Sequence, residues 1–406
     1  MSNYQGRPLG AVEKLYLALN DIFTKDFALV AELDRKVPPG HIPAAMGNLI
    51  RRHPQLNYHI KEDSRFQFWF RCGPEPSIPY RIVEVDEFSD WLYVLKSEMM
   101  APVQTDTPPM IRIIFLQKAG TSTVIILANH TIADGMAGLI ILQDLLKILS
   151  GYTLAQLKIP GSIDVVVGEI LENQPVFIPG AGEPVKYPDP GSETEIFINK
   201  LQLTGAFTSR LLGNCRREKT TINGALNAAV ALVLNANKSG AEDRPIITRA
   251  PLSVRELLSN PQDVVLNVIT RNMALQPADF PGIWPLARFI SNELRSPDSL
   301  DEVKAYVKYF RAGLMRPVPF SEIVKTVRSS VDTDFMITNL GRINQDIYGS
   351  YKILNLWGPV VVSGTGKEQT IGTVTIAGRL TLTHVSLFPV RSLLSNAVDL
   401  IMRSLP

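Results

Sequence analysis

His130 stands where a side chain can do proton chemistry. It follows the apolar run Val124-Ile125-Ile126-Leu127-Ala128 and Asn129, and it opens the segment His130-Thr131-Ile132-Ala133-Asp134-Gly135. An imidazole with its ordinary pKa of about 6.5 exchanges a proton near neutral pH. It can take the proton of an attacking hydroxyl or amine and later return it to a leaving group. Asp134, four residues on, has two compatible readings. As a helix N-cap its carboxylate takes free N–H groups of the first turn. As a partner for a cation elsewhere in the chain it would fix the turn and so hold the imidazole in place.

Presenting these side chains requires particular elements. The β-branched run before His130 reads as a buried strand, and the apolar stretch from Gly135 to Leu146 reads as the helix that packs back on it. His130 and Asp134 then lie in the strand-to-helix turn, where a rigid scaffold can aim them into a pocket. Elsewhere in the first half, the pattern predicts a strand over 27–33, a helix from Ile42 to Ile50, a hairpin-like region around 66–70 and a strand over 111–117. From about 151 to 194 the chain carries Pro160, Pro175, Pro179, Pro184, Pro188 and Pro190 among several glycines, a composition that cannot hold regular structure for long. The second half predicts strands near 195–198, 245–254, 264–275, 334–339, 351–357 and 370–387. Its helices are predicted near 205–218, from Ile222 to about Asn237, twice between 283 and 312, and from Val390 to Arg403. Strands mixed with helices in both halves predict two α/β sandwich domains.

Composition removes several function classes. The 41 basic and 39 acidic side chains leave a net charge of +2 without any dense Lys/Arg block, which argues against a nucleic-acid partner. Two cysteines, Cys72 and Cys215, make no disulfide framework and suit a reducing compartment. The first residues lack the apolar core of a signal peptide, and no apolar run approaches the roughly 18 residues of a membrane span. The expectation is a soluble cytoplasmic protein with no membrane span.

Other constellations lose on inspection. Ser363-Gly364-Thr365-Gly366-Lys367-Glu368 fails as a phosphate loop, because Val361 stands where the first glycine belongs and Glu368 replaces the Ser or Thr after the lysine. A flexible loop is the better reading. Neither G-x-S-x-G nor H-E-x-x-H occurs, which removes the usual support for a hydrolase or zinc protease. His41, His53, His59 and His384 are isolated from one another and read as surface or satisfied core histidines. A metal at His130 and Asp134 would lack further ligands, so no metal is expected.

The segment from His130 to Gly135 resembles the H-x-x-x-D-G motif of the CoA-dependent acyltransferase superfamily, which includes alcohol acetyltransferases, polyketide-associated acyltransferases and peptide-synthetase condensation domains. Further segments are similar and stand in the family's order: Arg52-His53-Pro54-Gln55-Leu56 after the first amphipathic helix, the strand at Pro108 to Ile114, Pro251-Leu252-Ser253-Val254-Arg255, and Ile337-Thr338-Asn339-Leu340-Gly341. The resemblance spans nearly the whole chain. It implies two chloramphenicol-acetyltransferase-like α/β domains around a central tunnel. The first domain would cover 1–175 with the motif, a Pro/Gly-rich linker 176–194, and the second 195–406.

The resemblance also implies roles. His130 would be the general base, and Arg255 would arrive from the second domain to pair with Asp134, although an arginine at a strand end is ordinarily solvated. A planar guanidinium suits that pairing, since it meets a carboxylate with two charge-assisted bonds. Gly135 would complete the motif turn. Thr338 and Asn339, otherwise plain turn residues before Gly341, would line the tunnel and hold the developing oxyanion. The implied reaction moves an acyl group from a thioester, acyl-CoA or a phosphopantetheine-linked acyl carrier protein, to a small-molecule alcohol, with no permanently bound cofactor, in lipid or secondary-metabolite biosynthesis. A monomer is expected. Asn129 stands where peptide-forming condensation domains carry a second histidine, and no adenylation or carrier module occurs in the chain, which favours ester over amide formation. The plant-type D-F-G-W-G segment is also absent, which moves the chain toward the bacterial alcohol and polyketide-associated enzymes. The alternatives are an amide-forming condensation-type enzyme and a non-catalytic binding or scaffold member of the fold.

Overall fold

Strands Asp26–Leu33 and Ser122–Asn129 are apolar on both faces, which suits a position with cover above and below, and they pair antiparallel at the centre of a six-stranded sheet. In a computed structural model, which describes residues 6–74, 77–169, 195–238, 244–258, 261–330 and 332–406, that sheet runs Ile347–Tyr348, Tyr351–Val361, Asp26–Leu33, Ser122–Asn129, Ile111–Gln117, Tyr80–Glu84. A second six-stranded sheet runs Val268–Leu275, Ile246–Ser253, Phe335–Ile343, Gln369–Ile376, Arg379–Ser386, Phe197–Gln202. The architecture is mixed α/β, with helices Ile42–Arg52 and Gly135–Leu149 on the first sheet and Ile222–Ala236, Ile283–Glu293 and Leu393–Arg403 in the core of the second. The Tyr58–Glu62 and Phe68–Cys72 strands form the expected hairpin, with Arg7–Pro8 added beside it.

The second half crosses into the first sheet. After strand Phe335–Ile343 of the second sheet come the short strand Ile347–Tyr348 and Tyr351–Val361, the latter pairing with Asp26–Leu33, with register irregularities between Ile353 and Asn355 and between Trp357 and Val360. At the seam it lies against the second sheet: Thr381 Oγ1 donates to the Leu356 carbonyl at 2.6 Å. Gly372 permits the approach, because a Cβ there would sit 2.1 Å from the Pro359 carbonyl oxygen.

Arg52 and His53 serve packing. Arg52 Nε and His53 Nε2 lie 2.9 and 3.0 Å from Asp144 Oδ2, which ties helix Ile42–Arg52 to helix Gly135–Leu149. Burial opposes the Asp144 charge, but the hydrogen bonds from His53 and Arg52 prevail and hold its pKa down to about 2. His384 is a core histidine whose Nε2 is paired with Gln369 at 2.9 Å, while its buried Nδ1 has no partner among the described residues.

Several elements differ from the sequence reading. The predicted strand over 370–387 divides at the left-handed pair Ala377-Gly378 into two antiparallel strands. Helices Ala11–Ile22, Trp91–Met99 and Phe320–Arg328 were not anticipated. In the first of these, Glu13 and Lys14 are buried within what reads as a charged stretch, Glu13 being held by Arg7 and by the N–H of Gly10. The segment Ser363–Glu368 is tied rather than free, since Glu368 accepts from the N–H groups of Thr365 and Gly366 while Lys25 Nζ donates to Val362 and Gly364 carbonyls. The part of the Pro/Gly stretch before residue 170 touches both halves: Arg52 and Arg7 donate to the carbonyls of Ala155 and Pro160, and Asp164 accepts from the Ala11 N–H and from Arg311 of the second half. The proposed linker 176–194 is outside the described residues.

Gly372→Ala should lower stability by about 1–3 kcal/mol, the usual range for overpacking, because the Pro359 carbonyl must move. A urea melt of the variant against the parent measures it; an unchanged midpoint would show that the seam is not tightly packed there.

Candidate active site

His130 sits one residue past the end of strand Ser122–Asn129, and its N–H donates to the Lys25 carbonyl at 2.8 Å on the neighbouring strand's lead-in. The imidazole is wedged between aromatic rings. Tyr16 lies with its centroid 4.5 Å away at 31°, and Phe27 lies at 5.0 Å and 52°. Packing therefore holds the ring, in contrast to a triad in which a carboxylate does so. Nδ1 is sealed from solvent, so Nε2 is the ring nitrogen that an open cavity reaches.

Burial pushes the His130 pKa down to about 4, with the Asp134 charge opposing it. At neutral pH the ring is uncharged and its exposed nitrogen is a proton acceptor. Burial likewise raises the Tyr16 phenol, which stays neutral, and pushes Lys25 down to about 7 against the opposing charge of Glu368.

Asp134 performs both of its readings at once. Oδ1 caps the helix by accepting from the Ala137 N–H at 2.8 Å, and it also accepts from Arg255 Nη2 at 2.8 Å. Oδ2 accepts from the Asn267 N–H at 2.9 Å. Both partners beyond the helix belong to the second half of the chain. Asp134 and Arg255 are each 5% exposed, and the guanidinium also donates to the carbonyls of Asp263 and Val265. Gly135 has no room for a side chain: a Cβ would meet Pro359 Cγ at 2.7 Å and Leu340 Cδ2 at 3.1 Å.

Thr338 and Asn339 line the same cavity from strand Phe335–Ile343. Asn339 Oδ1 accepts from the Gly341 N–H at 2.7 Å, which orients its amide N–H₂ away from that turn. The structure thus gathers His130, Asp134, Gly135, Thr338 and Asn339 on one cavity wall set, with Arg255 behind Asp134. Asn129 is not among them; its amide is spent on Asn20 and Asp26 in the core.

Sequence reasoning missed Tyr16, Lys25 and Arg249, which also face the cavity. Tyr16 lies on the unanticipated helix. Lys25 precedes a predicted strand and is 3% exposed, a burial that a lysine codon-by-codon reading assigns to solvent. Arg249 alternates with Pro251 and Ser253 on one face of a strand, a signal that exists only once that face is known to border a cavity. Among the described residues no group of three or more His, Cys, Asp or Glu side chains could hold a metal ion, and no helix is long and apolar enough to cross a membrane.

No protein-family model matches the chain, and no curated protein matches it. Solved structures do. Polyketide synthase associated protein 5 from Mycobacterium tuberculosis is 14% identical at a TM-score of 0.69, over 98% of this chain and 97% of that one. Trichothecene 15-O-acetyltransferase from Fusarium sporotrichioides is 13% identical at 0.63, over 98% and 94%. The starter condensation domain of rhizomide synthetase, solved with C8-CoA, is 13% identical at 0.61, over 99% and 95%. At such identities the likeness shows the fold, and it covers both halves.

Asp134→Ala leaves Arg255 buried with its charge unanswered, and breaking such a pair commonly costs about 3–5 kcal/mol. The variant should melt well below the parent and lose soluble yield. A parent-like melting curve would leave Asp134 as a helix cap and nothing more.

Proposed function

We propose that the protein is an acyltransferase that moves an acyl group from a thioester to a hydroxyl, forming an ester. The observation that carries this reading is a neutral histidine whose accessible nitrogen faces a cavity between the two sheets, with free polar groups of the second half across from it. A thioester is already activated, so direct attack within a ternary complex needs no acyl-enzyme. The acceptor hydroxyl gives its proton to His130 Nε2 as its oxygen bonds to the thioester carbonyl carbon. The carbonyl oxygen takes the negative charge, and the Asn339 amide with the Thr338 hydroxyl donates to it. The C–S bond then breaks, and the imidazolium returns the proton to the departing thiolate. Asp134 and Arg255 keep the turn in place without touching substrate.

The donor side is supported by the neighbouring fold solved with C8-CoA, and the acceptor side by the neighbouring 15-O-acetyltransferase. An acyl carrier protein offers the same phosphopantetheine arm and is the second donor class to test. The site draws on both halves, 1–175 and 195–406, with strand Tyr351–Val361 of the second completing the sheet of the first, and the reading requires only one copy of the chain. Amide formation is the second reading; the core position of the Asn129 side chain weakens the argument that this residue selects hydroxyls.

The test is mass spectrometry of products after incubation with acyl-CoAs and acyl-carrier proteins against matched alcohols and amines. Ester products are expected; amides alone would overturn the acceptor assignment, and no product from any pair would favour a binding or scaffold role. His130→Ala should lower turnover by about 10²–10⁴ while the melting temperature changes little. Near-parental turnover would remove His130 from the chemistry.

The pH profile follows from the same side chain. Its pKa is lowered, so the reactive neutral form persists as pH falls and is lost only as pH passes through about 4. The acid limb of kcat/KM for the free protein should lie well below the ordinary imidazole pKa of about 6.5. A limb at that ordinary value would show a solvated ring.

A further inference from the structure

The cavity carries one positive charge that the acyl-transfer chemistry leaves unused. Arg249 stands on strand Ile246–Ser253, and its hydrogen bonds among the described residues go to neutral acceptors: Nε donates to Asn272 Oδ1 at 2.9 Å, and Nη2 reaches the Ser330 carbonyl at 3.5 Å. The other charges at the cavity are engaged. Asp134 is spent on Ala137, Asn267 and Arg255, and Lys25 Nζ on the carbonyls of Val362 and Gly364. Much of the remaining wall is aliphatic, including Leu15, Leu19, Met136 and Val268. The guanidinium acts electrostatically on Tyr16, whose ring packs tilted against His130, and on Lys25.

We propose that Arg249 recognises a carboxylate on the acyl acceptor, so that the acceptor is a hydroxy acid with an apolar body. A half-buried arginine whose hydrogen bonds among the described residues go to neutral partners, beside a largely aliphatic cavity wall, presents N–H donors whose best counterpart is a planar anion. The donor does not supply that anion near the reacting carbon, since a pantetheine arm is neutral and separates its phosphate from the thioester by its whole length. With Nε committed to Asn272 and Lys25 to carbonyls, the free donors suit a monoanion better than a phosphate dianion. The aliphatic wall takes the rest of the molecule. Naming the ligand as the acceptor rests on the acyl-transfer reading; the anion preference itself does not.

Binding can therefore be read without turnover. The protein is titrated calorimetrically, with no thioester present, against β-hydroxy acids from butanoate to dodecanoate, each beside its methyl ester. A charge-assisted hydrogen bond in such a site corresponds to about tenfold or more in affinity, so the acid should bind about tenfold or more tighter than its ester. Arg249→Met should collapse that ratio toward unity, and Arg249→Lys, which keeps the charge without the planar fork, should keep part of it. Thermal melts establish that both variants are folded, and the acid-to-ester ratio of the unaltered protein is a test that needs neither. Equal affinity for acid and ester, no binding of any acid, or a ratio unchanged in Arg249→Met would overturn the assignment. So would tighter binding of glycerol phosphate than of every acid. An acid preference lost with Arg249 in a protein that transfers no acyl group would sustain this inference while the acyl-transfer reading fails.

Discussion

A carboxylate from one half of the chain and a guanidinium from the other meet at 2.8 Å, each almost fully buried, directly behind the turn that carries His130. The burial matters more than the attraction. Two desolvated charges roughly offset their own cost when paired and leave a large deficit when separated. Such a pair is a poor source of stability and a strict condition on alignment. Asp134 accepts from its own helix, from Arg255 and from the Asn267 N–H, so the helix terminus, the arginine and the start of strand Val268–Leu275 share one carboxylate. Gly135 next to it leaves space for Pro359 and Leu340, which brings the crossing strand and the Thr338-Asn339 strand against the same turn. The cavity between the halves has its dimensions set there.

The state of His130 follows from that closure. Tyr16 and Phe27 fill the volume around the ring and remove the water that would stabilise an imidazolium, which is why the group is neutral well below neutral pH. A low pKa makes a weak base in the resting protein. It also keeps the ring in the form that the proposed mechanism needs, and the Asp134 charge pulls in the opposite direction, favouring an imidazolium. The side chain is thus supported from behind by charge and from the sides by packing.

Much of this was legible in the residues. The strand, turn and helix around His130 show in the sequence because one long apolar run, a short segment carrying Asn129, His130, Thr131 and Asp134, and a second apolar run leave little choice of structure. The partner of Asp134 was not legible from spacing, since nothing in a linear pattern relates a residue to another 121 positions away; only the resemblance pointed to Arg255. Strand Tyr351–Val361 was legible as a strand, but its membership of the first sheet depends on packing across the seam, which pattern does not encode. Tyr16 was lost with its helix, and Glu13 because a charge satisfied internally looks identical in sequence to a charge in solvent. Arg249 was lost for the converse reason, as an alternating strand does not say which of its faces borders a cavity.

The central claim is that one buried ion pair aligns the two halves around His130, and a double-mutant cycle tests it most directly. Stability and turnover are measured for Asp134→Ala, Arg255→Ala, the double variant and the parent. Residues in one buried network couple by about 0.5–3 kcal/mol, and the second substitution removes the uncompensated charge left by the first. The account predicts that the double variant is at least as stable as Asp134→Ala, with strong coupling in both stability and turnover. Additive losses in both would show that the two side chains act independently and that the halves are aligned by something else.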